Sequence, residues 1–114
     1  MAGPVTGACT QVTAQELRRL LAQRHDMQLI DVREPVEFAQ QHIPGAMLLP
    51  LGQLPARMRE IDPTRLAILV CRSGNRSAIA CQFLRARGYH KVVNFAGGML
   101  SWNEIGGPTA TGLE

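Results

Sequence analysis

Four short, mostly apolar runs recur along this chain: residues 28–32 (Gln-Leu-Ile-Asp-Val), 46–49 (Ala-Met-Leu-Leu), 67–70 (Ala-Ile-Leu-Val) and 91–95 (Lys-Val-Val-Asn-Phe), with helical patterns between them. Runs of this length without strict alternation are what a strand writes when both its faces are covered. Alternation with helices then points to a parallel sheet, because parallel neighbours need crossover connections. The expected fold is α/β: a central, mostly parallel four- or five-stranded sheet with helices on both faces. Ligands in such folds sit outside the carboxyl ends of the strands. Two chemically capable residues fall there, Asp31 and Cys71.

The helices carry their own signals. Thr13 and Glu16 form a capping box that starts a helix reaching about Ala22, with Leu17, Leu20 and Leu21 inward. Glu34-Pro35 opens a second helix through Val36, Glu37 and Phe38, since proline is tolerated in a first turn. A third is expected around Gln53–Glu60, after the stop at Pro50. A fourth runs from about Asn75 to Arg87, with Gly88 as its left-handed terminating residue. Gly97-Gly98 turns the chain into a last helix bearing Met99, Leu100 and Trp102, the tryptophan plugging the core.

At 114 residues the chain makes one domain, expected over residues 12–105. Residues 1–11 are small and polar and read as a flexible N-terminal segment; residues 106–114 read as a mobile tail. Leu113-Glu114 looks like a cloning remnant, so an original leader could have been lost in trimming. Eleven arginines against one lysine are scattered and not interleaved with aromatics, and the formal charge is only +3. That balance disfavours nucleic acid and suits a small anion. No apolar stretch reaches membrane-spanning length. Cys9, Cys71 and Cys81 show no CxxC pairing and no metal-ligand spacing with His25, His42 or His90, so neither zinc nor another cofactor is expected. An odd count without a disulfide framework suits a reducing compartment, and a cytoplasmic monomer is the expectation. Cys81 is expected buried and inert, and Cys9 too remote to resolve chemistry at Cys71.

Cys71 ends the third run and opens a polar loop, Arg72-Ser73-Gly74-Asn75-Arg76, before a helix resumes. Backbone N–H groups at that helix start, its dipole and the two guanidiniums would all favour a thiolate. Cysteines so placed have pKa values lowered from about 8.5 into the range of roughly 3.5–7.5. The reading is a nucleophile in an anion-binding cradle.

These residues also resemble a family. Residues 29–38 (Leu-Ile-Asp-Val-Arg-Glu-Pro-Val-Glu-Phe) with 42–46 (His-Ile-Pro-Gly-Ala) are similar to the first signature of rhodanese-like domains. Residues 71–77 resemble their active-site loop, and Gly88-Tyr89 with 97–102 their closing motif. The resemblance covers about residues 12 to 105 and departs from the family's pattern at Gln41 and Ala96. It implies a single-domain sulfurtransferase moving sulfane sulfur from thiosulfate to cyanide or a thiol through a persulfide on Cys71. Within it, Gly74 would supply the positive φ of a backbone nest, while Arg72 and Arg76 would hold the sulfonate. Ser73 and Asn75 would donate hydrogen bonds, although Asn75 also suits an N-cap. Ser77 has the same two roles open, the structural one favoured. Asp31 would orient Arg76 or a loop amide, and Arg33 is expected to pair with Glu37, four residues on. His42 reads as a turn residue with a satisfied ring.

Two other activities must be weighed. Phosphatases and arsenate reductases resembling this fold have a loop longer by one residue and usually a histidine before the cysteine; here four residues separate Cys71 from Arg76, and Val70 precedes the thiol. The smaller loop suits one sulfur atom better than a phosphate. The stronger alternative is a persulfide relay between proteins, which would use the same cysteine.

Overall fold

A computed structural model describes residues 9–113. The five strands are β1 (Thr10–Val12), β2 (Gln28–Asp31), β3 (Met47–Leu48), β4 (Ala67–Val70) and β5 (Val92–Phe95). They pair in the order β1-β5-β4-β2-β3, and every pairing is parallel. The helices are α1 (Ala14–Gln23), α2 (Pro35–Gln40), α3 (Leu54–Arg57), α4 (Asn75–Arg85) and α5 (Gly98–Glu104). Pleating sends successive strand residues to opposite faces. Leu29, Ile68, Val70 and Phe95 accordingly pack with Leu17 of α1 and Met99 and Trp102 of α5. Ile30, Leu69 and Val92 pack with Leu54 of α3 and Ala80 and Leu84 of α4. Central strands buried on both sides explain the unbroken apolar runs.

Several local expectations are corrected. The segment read as flexible through residue 11 contains β1, whose Thr10, Gln11 and Val12 pair with Val93, Asn94 and Phe95. The rest of that segment, residues 1–8, lies outside the described residues. The stretch 53–60 is not one helix: 3-10 turns at Leu51–Gln53 and Met58–Glu60 flank the short α3. Pro55 has no N–H for an internal hydrogen bond, so the turn before it cannot continue into α3. The segment read as a mobile tail is anchored over residues 106–113, Glu114 lying outside the described residues: His42 and Ala110 exchange two backbone hydrogen bonds, and the Gly112 N–H donates to the Ala39 carbonyl. Trp102 supplies a reason, since its buried indole Nε1 needs an acceptor and donates to the Pro108 carbonyl at 2.8 Å.

The cysteine reading is corrected as well. Cys9 and Cys81 are joined in a disulfide with their Cα atoms 6.2 Å apart, within the usual range. Cys81 is buried as expected but bonded, and the inference from an absent disulfide to a reducing compartment loses its premise. Cys71 is the free cysteine among the described residues. No helix described is long and apolar enough to cross a membrane.

Candidate active site

Cys71 follows directly on β4, and Gly74, with φ 97°, is the N-cap from which α4 departs. That turn folds the loop back over the sulfur. The Gly74 N–H donates to Cys71 Sγ at 3.0 Å, and the Ser77 hydroxyl lies 3.3 Å from the same atom. Burial pushes the thiol's pKa up. Against it stand the Ser77 hydroxyl and the backbone N–H groups of Ser77, Ser73 and Gly74, which together hold the thiol below its ordinary value. Hydrogen-bond donors, not guanidiniums, are therefore the chief source of the lowering. Ser77, expected to be mainly structural, is a direct partner of the sulfur and fully buried.

Glycine is required at two points of this loop. A Cβ on Gly74 would stand 2.0 Å from the Ala96 carbonyl oxygen, and one on Gly98 would stand 2.5 Å from both the Cys71 and Arg72 carbonyl oxygens. Those two carbonyls accept the N–H groups of Met99 and Leu100 at 2.9 and 3.1 Å. The first turn of α5 thus holds the loop from the side opposite α4.

The expected charge pairs are exchanged. Asp31 does not reach Arg76; it is fully buried and accepts both Nε and Nη2 of Arg33, with Nη2 at 2.8 Å. Arg33 continues to the Gln41 carbonyl. Glu37 instead takes Arg76 in a two-pronged pair at 2.7 and 2.9 Å. The Arg76 guanidinium holds the Glu37 carboxyl at about 2, and Glu37 in turn raises Arg76. Arg76 is consequently committed to a carboxylate rather than standing free for a sulfonate. Arg72, Ser73 and Asn75 are exposed, and Asn75 is the first residue of α4 rather than its cap. His42 is buried, stacked on Phe38 with ring centres 3.7 Å apart and bonded through Nδ1 to the Phe38 carbonyl.

Asn94 went unnoticed in the sequence. It is buried in β5, and its Nδ2 donates to the Gly74 carbonyl at 3.3 Å. The available signal was a lone amide inside an apolar strand.

A thiol with a lowered pKa, held by hydrogen-bond donors at the end of a parallel strand, is suited to attack a soft electrophile. Among known protein families, the rhodanese-like domain family matches residues 13–105. The chain belongs to that family. A protein of Allochromatium vinosum named sulfurtransferase is 41% identical over 98 residues, which span 86% of this chain and 92% of that protein. The solved structure of a rhodanese-related protein from Thermoplasma volcanium superposes with a TM-score of 0.81 at 30% identity, covering 92% of this chain and 99% of that one. A rhodanese-like domain protein from Staphylococcus aureus gives 0.77 at 33% identity, over 82% and 90% of the two chains. The general chemistry of this rhodanese-like domain is sulfur transfer.

Proposed function

We propose that this rhodanese-like chain moves sulfane sulfur from thiosulfate to a thiophilic acceptor through a persulfide on Cys71. The observation that carries this reading is the Gly74 N–H and the Ser77 hydroxyl converging on Cys71 Sγ. The thiolate attacks the outer sulfur of thiosulfate; a sulfur–sulfur bond forms at Sγ, and the bond to the inner sulfur breaks. Sulfite leaves with the electron pair. Cyanide or a thiolate then attacks the outer sulfur of the persulfide, giving thiocyanate or a new persulfide and returning the Cys71 thiolate. No general base is needed when the thiol is already ionised. Arg72, exposed beside the thiol, attracts the dianion, while Ser73 and Asn75 offer exposed donors at the loop surface.

A second reading has its own support. With Arg76 neutralised by Glu37, the loop offers a dianion less net charge than two arginines would. Val36, Ile79 and Leu100 are exposed on α2, α4 and α5, helices that each start from the end of the sheet where Cys71 lies. Both features suit a protein-borne persulfide as donor. Intact mass after thiosulfate treatment tests the first reading: wild type gains one sulfur atom, Cys71→Ser gains none, and cyanide removes it. Loading only from a cysteine-desulfurase persulfide would favour the relay. No sulfur gain from either donor would refute both.

A further inference from the structure

β5 is an apolar strand with one amide in it. Asn94 is 2% exposed, and its Oδ1 is buried without a hydrogen-bond partner among the described residues. Leaving an acceptor unmade in a core is costly, and an apolar side chain of similar volume would avoid that cost. The other half of the amide is employed: Nδ2 donates to the carbonyl of Gly74. The orientation is forced, since a carbonyl accepts only from the NH2 side.

Gly74 is also the residue whose N–H points at Cys71 Sγ. Its two peptide groups therefore face different partners. The one before it serves the sulfur; the one after it is held by Asn94 Nδ2 and, at 3.1 Å, by the Ala78 N–H in the first turn of α4. At φ 97° these groups are geometrically linked through a single Cα. The Ala96 carbonyl, two residues beyond Asn94, closes the remaining side of Gly74. The end of β5 thus sets the loop from beneath. Without the Asn94 donor the second peptide keeps one partner and can rotate, carrying the first N–H away from the sulfur.

We propose that Asn94 is a positioning residue for the sulfur chemistry: by holding the Gly74 carbonyl, it aims the Gly74 N–H at Cys71. This rests on Cys71 being the sulfur-carrying nucleophile. The test uses Asn94→Leu and Asn94→Met, two apolar side chains that each remove donor and orphan acceptor together. The pH dependence of Cys71 alkylation by iodoacetamide is measured for each, beside kcat and KM for thiosulfate and thermal stability. Both variants should shift the alkylation midpoint upward by about one pH unit, a tenfold loss of thiolate in the range below it. Asn94→Leu should lower kcat about tenfold with KM unchanged, and without loss of thermal stability. Wild-type midpoints in both variants, while wild type still takes up sulfur, would overturn the assignment of Asn94 alone. Absence of sulfur uptake by wild type would instead overturn the proposed function, and the midpoint shift would still judge Asn94.

Discussion

Replacing Glu37 with glutamine removes the carboxylate that holds Arg76, and its effect on stability can be worked out in advance. The Glu37 carboxyl lies at about 2 in the folded protein against 4.5 for an unperturbed group, chiefly because of its hydrogen bonds from Arg76. A displacement of that size corresponds to about 3 kcal/mol at most, taking 1.36 kcal/mol per unit. The two side chains are 26% and 34% exposed, so solvent screening reduces the contribution to about 1–2 kcal/mol. Because the folded value is depressed, the contribution is complete above the unfolded value of 4.5 and is lost as pH falls toward 2. Urea denaturation of wild type and Glu37→Gln should show the full gap at pH 7, shrinking by roughly 60% at pH 3. Other carboxylates titrate in both proteins and cancel in the difference. A gap of equal size at both pH values would refute the assignment of the pair's strength to the ionised carboxylate.

Two further outcomes are expected. Ser77→Ala removes the hydroxyl 3.3 Å from Sγ and should raise the midpoint of Cys71 alkylation by about one pH unit, with the fold kept as judged by circular dichroism; an unmoved midpoint would exclude Ser77 from the thiolate's support. Cleaving the Cys9–Cys81 bond frees a loop spanning a sequence separation of 72 residues, for which chain-entropy arguments give about 4 kcal/mol. Scanning calorimetry with and without dithiothreitol should then show the Tm lowered by roughly 15 °C, and an unchanged Tm would contradict the cross-link.

What the sequence made legible, and what it hid, follows physical lines. β2, β4 and β5 could be read because burial on both faces writes nearly continuous apolar runs. β1 could not: it is an edge strand, with Thr10 and Gln11 exposed and only Val12 turned inward. The Cys71 loop was readable as a whole because nucleophile, glycine and helix start are consecutive. The ion pairs were not. Arg33 and Glu37 are spaced four apart, but the rule for such pairs holds only inside a helix. Arg33 precedes Glu34, the N-cap of α2, and folds back onto Asp31, whereas Glu37 sits in the first turn and faces across to α4. The disulfide was equally hidden, since cysteine spacing does not determine which partners meet. Asn94 depended on β5 lying beside β4 in register, with Asn94 opposite Leu69, two residues before Cys71.

Burial of the sulfur bears on what the site can do. Cys71 is 1% exposed, yet its loop neighbours Arg72, Ser73 and Asn75 are all exposed, so the thiol lies one residue beneath the surface. At that depth the proposed reaction calls for a small donor or a slender persulfide. Burial also makes the transfer directional. In the proposed reaction the negative charge leaves Sγ for a sulfur bonded to it at about 2 Å. The buried donors, Gly74 N–H and Ser77 hydroxyl, then face a neutral atom, while the charge moves out toward the exposed part of the loop. The donors that favour the resting thiolate hold the persulfide less strongly, which leaves the outer sulfur available to an acceptor. An arginine clamped directly on Sγ would do neither, and Arg76, drawn aside by Glu37, is kept from that position.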